Sequence, residues 1–262
     1  MSRLAWFQVS FFSSALLHSV PVNVLLPDRM GRKEGEKCRT LYLLNGFRGD
    51  HTDWLLNTDV NGWSRLYDCA IVMPSGENSA YMDHAVSGTK YGEYIGKELV
   101  DFTRKSFPLS DRREDTAVAG LSMGGYGALR LGLRYPETFG WICAMSSALI
   151  MDEVSKMTPG HGNAVAPYGF YRTVFGEPSA LMGSDKDPRA LAAAAVKLAE
   201  KPKLFLAIGT EDPLYQFNLS MHNYLNEIGY DHVWYTHEGQ HNFDFWNDAL
   251  QAFFAWQEKN RN

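Results

Sequence analysis

The 262-residue sequence is poor in cysteine. Its three residues, Cys38, Cys69 and Cys143, are odd in number, far apart and set among apolar neighbours. That argues against a disulfide framework or a cysteine-built metal cluster and leaves buried thiols as the expectation. Positive charge is not in excess either: 25 Lys and Arg stand against 30 Asp and Glu, a formal net charge of −5. The basic face that a nucleic-acid partner requires is therefore not expected. No apolar run approaches the roughly 18 residues of a membrane span, so no membrane partner is expected. Residues 1–7 begin like a secretion signal, but Gln8, Ser10, Ser13, Ser14 and His18 interrupt the apolar stretch such a signal needs. The segment reads as mature protein, and the cytoplasm is the expected compartment. Low-complexity tracts and linker-like shifts in composition are also missing, which points to one domain over residues 1–262. Self-association into a homo-oligomer is left open.

The chain is rich in short apolar runs. Two β-like stretches at 7–12 and 20–26 suggest an opening antiparallel pair, followed after Pro27-Asp28 by a charged, Gly-containing loop to Arg39. Continuous apolar strands are then predicted at 40–44, 70–73, 116–119, 141–145 and 203–208, with a further strand at 232–235. Helices are predicted between and after them at 91–107, 124–135, 213–228 and 243–258. This alternation predicts an α/β fold with a mostly parallel central sheet, helices on both faces, and a site at the carboxyl ends of the strands. Residues 151–200 break the rhythm with Pro159-Gly160, Pro167, Gly169, Gly176, Pro178 and Pro188. They read as a lid or cap insertion ending in an alanine-rich helix, where substrate choice often resides.

Gly120-Leu121-Ser122-Met123-Gly124 fits G-x-S-x-G and lies between a predicted strand and a predicted helix, the context that marks a nucleophile elbow. A serine hydroxyl needs a base to activate it and a carboxylate to orient that base. In this kind of fold the chain order is Ser, then Asp or Glu, then His. Asp212, in Gly209-Thr210-Glu211-Asp212-Pro213, fills the second place, with Glu211 as rival and a helix N-cap as the structural alternative. His241, in the loop before the last helix, fills the third, with His237 as competitor. His237-Glu238-Gly239-Gln240-His241 also fits the zinc motif H-E-x-x-H, but that motif needs a helix, and here a strand leads into it with a glycine in the middle. No metal is therefore expected. The oxyanion requires donors, for which the N–H of Met123 and of Phe47, after Asn45-Gly46, are the candidates. A hairpin turn is the alternative reading of Asn45-Gly46. Gly46, Trp54 and Tyr81 are the expected substrate-side residues.

Together with Val22-Asn23-Val24-Leu25-Leu26-Pro27, Leu43-Leu44-Asn45-Gly46, Met73-Pro74-Ser75-Gly76 and the segment 91–99, the Gly-Leu-Ser-Met-Gly-Gly elbow makes the chain similar to a known group. It resembles the esterase D-like branch of α/β-hydrolases, which includes tributyrin-type acetylesterases, cinnamoyl or feruloyl esterases and S-formylglutathione hydrolases. The resemblance implies Ser122, Asp212 and His241 as a triad and no cofactor. It also implies a serine carboxylesterase that hydrolyses short-chain acyl or hydroxycinnamoyl esters, small-molecule substrates, through an acyl-enzyme on Ser122. Thioester hydrolysis of S-formylglutathione is the alternative within this group. Mycolyl transfer is disfavoured without a secretion signal, and a non-catalytic hydrolase-like binding module would need only the fold. Asn45 departs from the group, whose members often carry histidine there.

Overall fold

The computed structural model describes residues 3–28, 33, 35–84 and 87–261. The expected opening pair is an antiparallel hairpin of β1 (Arg3–Ser13) and β2 (His18–Asp28), longer at both ends than the apolar pattern alone indicates. Backbone pairing extends it, running unbroken from Arg3 opposite Asp28 to Ser13 opposite His18. The charged loop expected after it lies partly outside the described residues.

Six further strands follow: β3 (Arg39–Leu44), β4 (Cys69–Pro74), β5 (Thr116–Leu121), β6 (Trp141–Met145), β7 (Lys203–Gly209) and β8 (His232–His237). They form one eight-stranded sheet in the order β1-β2-β4-β3-β5-β6-β7-β8. From β4 to β8 every pairing is parallel, and β2 joins β4 antiparallel. β3, β4, β5 and β6 are buried at every residue, as expected of strands covered on both faces.

Helices α1 (Asp53–Asn57) and α2 (Val60–Leu66) cover one face of the sheet, together with the final helix. The opposite face carries α3 (Tyr91–Glu93), α4 (Leu99–Ser106), α5 (Met123–Arg134), α6 (Met151–Ser155), α7 (Tyr168–Phe175), α8 (Pro188–Ala195) and α9 (Tyr215–Glu227). The final helix, α10 (Phe243–Lys259), starts at Asn242, whose side chain accepts from the Phe245 N–H, satisfying one of the donors a helix start leaves open. The helix expected over 91–107 is instead α3 and α4 joined by a π turn at Tyr94–Glu98. Gly96, inside that turn, lies so close to Tyr135 that a Cβ would stand 2.3 Å from its ring.

The irregular segment 151–200 holds α6, α7, a 3₁₀ turn at Pro178–Ala180, and α8. Met151, Val154, Tyr171, Phe175, Leu181 and Ala192 join the same apolar cluster as the residues of α5 and β3. The segment thus packs on the core, and several of its residues line the same cavity as Ser122. From β3 the sheet order runs one way to β4 and the other way to β5. The crevice of an open α/β sheet forms at such a switch point, and the loops after β3 and β5 meet there.

Candidate active site

Ser122 sits between β5 and α5 with φ 56° and ψ −116°, a region that residues with a Cβ rarely occupy and that is held only when the surroundings over-determine it. The constraints are visible. The Ser122 N–H donates to Met145 O at 2.9 Å, and its carbonyl accepts from the N–H groups of Tyr126 and Ala148 at 3.1 and 3.0 Å. The flanking glycines are required by contact. A Cβ at Gly120 would stand 2.3 Å from Gly124 O, and one at Gly124 would stand 2.5 Å from Asn45 O. Strand, turn, helix and the Asn45 loop therefore close on one another only without these side chains.

Asp212 lies just past β7 and is buried, and its carboxylate is shared. Oδ2 accepts from His241 Nδ1 at 2.8 Å, and Oδ1 accepts from the Leu214 N–H at 2.8 Å. α9 begins at Tyr215, so Asp212 is not its N-cap. Burial by itself raises the Asp212 carboxyl, but hydrogen bonds from His241, the Leu214 N–H and the Ser146 hydroxyl outweigh it and hold the group below its ordinary 3.8. With Nδ1–H committed to Asp212, the imidazole has Nε2 left for proton transfer, the tautomer a general base needs. The His241 ring packs edge-on against Trp246, 4.9 Å between centroids. The indole N–H of Trp246 donates to Ser146 Oγ at 2.9 Å. Ser146, buried with φ 45°, thus links the ring beside His241 to the carboxylate that orients it. The rivals lie elsewhere. Glu211 is exposed, with Gln240 Nε2 at 3.4 Å. His237 ends β8, where its Nδ1 meets Glu238 O at 2.7 Å. The H-E-x-x-H run is therefore strand and loop, and its two histidines do not share a helix face.

The loop after β3 is organised by Asn45. Its Nδ2 donates to Gly46 O at 2.8 Å, its Oδ1 accepts from the Gly76 N–H at 2.8 Å, and the Tyr81 hydroxyl donates to its backbone oxygen at 2.9 Å. Burial pushes the Tyr81 phenol well above its ordinary value, so it remains a neutral donor. Asparagine at this position acts as a backbone clamp. Gly46 lies against the elbow, where a Cβ would stand 3.6 Å from Ser122 Cβ and 2.5 Å from Leu121 Cδ1.

A cleft of about 440 Å³ opens on Ser122, Met123 and His241 and is walled by Phe47, Phe170, Phe175 and Phe217 among others. That is the size and character of a small-molecule site. Ser122, His241, Phe47 and Met123 thus meet at one cavity, with Asp212 behind His241. Trp54 and Tyr81, expected on the substrate side, do not line it. Trp54 is buried beneath β3, where its indole donates to Leu44 O at 3.1 Å and packs edge-on against Phe243. Tyr81 is used up on Asn45. Both are aromatic residues with a polar tip, which burial satisfies as readily as a ligand does. Sequence reasoning missed Asn45 as a clamp, Ser146, and the insertion residues in the cleft wall. The Ser146-Ser147 pair directly after an apolar strand was the one available signal, since sites form at strand carboxyl ends.

The chain is similar to known esterases over nearly its whole length. Acetyl esterase of Caldicellulosiruptor saccharolyticus is 40% identical over 266 residues, covering 98% of this chain and 99% of the relative. Among solved structures, the fluorophosphonate-binding serine hydrolase F of Staphylococcus aureus superposes with a TM-score of 0.87 at 27% identity, over 97% of this chain and 98% of that one. The S-formylglutathione hydrolase of Staphylococcus aureus superposes with a TM-score of 0.85 at 27% identity, over 98% of this chain and 99% of that one. The esterase family, described as "Putative esterase", matches residues 13–256. With an elbow serine, an ordered Asp-His pair and a family match over nearly the whole chain, this protein belongs to the esterase family of α/β-hydrolases and is a serine hydrolase.

Proposed function

We propose that the protein is a carboxylesterase that releases short acyl or hydroxycinnamoyl groups through an acyl-enzyme on Ser122. The observation that carries this reading is the convergence at one cleft of a serine held at φ 56° and a histidine whose Nδ1 is held 2.8 Å from a buried carboxylate. Ser122 Oγ attacks the ester carbonyl as His241 Nε2 takes its proton. The tetrahedral oxyanion meets the N–H groups of Met123 and Phe47, donors fixed before the reaction and so free of reorganisation cost. His241 passes its proton to the leaving alcohol, and a water activated by the same imidazole then frees the acid. Asp212 holds the tautomer and stabilises the imidazolium. The acetyl esterase at 40% identity favours a small acyl group, and the aromatic cleft also accommodates a larger planar one.

Ser122→Ala is expected to lower kcat by roughly 10⁶-fold if the three residues act as a unit, and a fluorophosphonate probe should label the wild type at Ser122 alone. Turnover near wild type in the variant overturns the assignment. Thioester hydrolysis is a second reading, supported by the likeness to the Staphylococcus aureus S-formylglutathione hydrolase. A kcat/KM panel over acetyl, butyryl, feruloyl and S-formylglutathione substrates separates the two. Three buried thiols fit a reducing compartment, and we propose the cytoplasm. No helix among the described residues is long and apolar enough to cross a membrane.

A further inference from the structure

The cleft wall is mostly apolar, but on its insertion side it carries an ordered carboxylate. Asn163 Oδ1 accepts from the N–H groups of Val165 and Ala166 at 3.0 and 3.1 Å and from the Tyr171 hydroxyl at 2.9 Å. Three donors on one oxygen fix which way the amide points. Its Nδ2 therefore faces the other way and donates to Glu153 Oε1 at 2.9 Å. Glu153 and Asn163 both line the cleft. An ionised carboxylate accepts about four hydrogen bonds and donates none, so after the one from Asn163 it still offers acceptor capacity to the cleft. Other polar atoms of the wall are engaged. Tyr126 donates its hydroxyl to Lys186 O at 2.7 Å, Tyr171 donates to Asn163, and Asn78 Oδ1 accepts from the Arg48 N–H at 2.8 Å.

The position of Glu153 relative to the nucleophile bounds what it can reach. The Ala148 N–H is bonded to Ser122 O at 3.0 Å, and Glu153 follows five residues later in the first turn of α6. Two extended steps and three helical ones separate the Ala148 and Glu153 Cα atoms by at most about 12 Å, which keeps Glu153 in the same cleft as Ser122. The walls between are aromatic, with Phe47 and Phe170 packed edge-to-face at 5.6 Å. We infer that Glu153, oriented by Asn163, is a specificity-determining residue that accepts a hydrogen bond from the far end of the acyl group, the free phenol of a hydroxycinnamoyl ester. This rests on the esterase reading above and adds to it a recognition rule. A phenol is a donor and is bound, a methyl ether has no proton to give, and an anionic substituent is repelled.

The test is a kcat/KM series on methyl esters of cinnamic, 4-hydroxycinnamic and 4-methoxycinnamic acid, with an acetyl ester alongside, for the wild type, Glu153→Gln and Glu153→Ala. A hydrogen bond to a charged group corresponds to roughly a 10- to 100-fold preference for the 4-hydroxy over the 4-methoxy ester in the wild type. That ratio should fall to a few-fold in Glu153→Gln and to about one in Glu153→Ala. Because it is a ratio within each variant, partial loss of folded protein cancels. A wild type with no preference, or a preference that survives Glu153→Ala, overturns the inference while leaving the esterase reading intact. A wild type that hydrolyses none of the four esters overturns both.

Discussion

In the proposed triad the Asp212 carboxylate is the most tightly held side chain. It is buried, accepts from three groups, and fixes which nitrogen of His241 carries the proton. Asp212→Asn keeps the shape but presents an amide donor toward Nδ1, so the imidazole takes the wrong tautomer and kcat is expected to fall by about 10⁴-fold. The same residue sets a pH dependence of stability. A carboxyl held below 3.8 in the folded state stabilises the protein above that pH and loses the contribution as pH falls through the folded-state value. The stability gap between wild type and Asp212→Asn should therefore be widest at pH 5–6 and narrow toward pH 3. Urea midpoints across that range measure it, and a gap that widens toward acid would contradict the assignment. The places of Ser122, Asp212 and His241 were legible in the sequence because each is a fixed kind of place, an elbow, a strand end and the last loop. Trp54 and Tyr81 were not, because an aromatic residue near a site looks the same whether it faces a ligand or holds a backbone oxygen.

Among the elements, the hairpin of β1 and β2 is fastened to the sheet's helical cover by Glu98, at the end of the π turn. Its carboxylate accepts from the Ser13 hydroxyl and from the Ser14 and Ala15 N–H groups. Hydrogen bonds to a charged group are the stronger kind, and Ser13 is fully buried. Glu98→Ala should therefore cost about 2 kcal/mol. The expected signature is faster amide exchange at residues 13–17 and a lower urea midpoint, with ester turnover per folded molecule unchanged. The apolar strands were readable because burial on both faces leaves a continuous hydrophobic run. The π turn was not, since its sequence keeps an ordinary helical pattern and what marks it is the approach of Gly96 to Tyr135, a residue on a different element.

Across the whole molecule, the insertion is tied to the elbow helix by Arg130. This side chain is 1% exposed, donates from Nε to Asp185 O at 3.0 Å, and pairs with Asp185 Oδ2 at 3.2 Å, where Arg134 also bonds. Removing the carboxylate leaves a buried guanidinium with backbone acceptors only. Asp185→Ala should cost about 2 kcal/mol, less than for a fully buried pair because Asp185 is half exposed. Tryptic cleavage after Lys186 should rise with it. Cleavage and melting indistinguishable from wild type would show that the apolar contacts of the insertion suffice.

The sequence by itself determined the alternating strands and helices, the elbow and the order of its partners, because these follow from periodicity, glycine and position along one chain. Only the tertiary structure decided what lines the cleft. Glu153, Phe170, Phe175 and Phe217 line one cleft with Ser122 from positions 31 to 95 residues away in sequence. Whether such a side chain faces core, solvent or substrate depends on how the insertion packs over the sheet, a balance of contacts that no local pattern encodes.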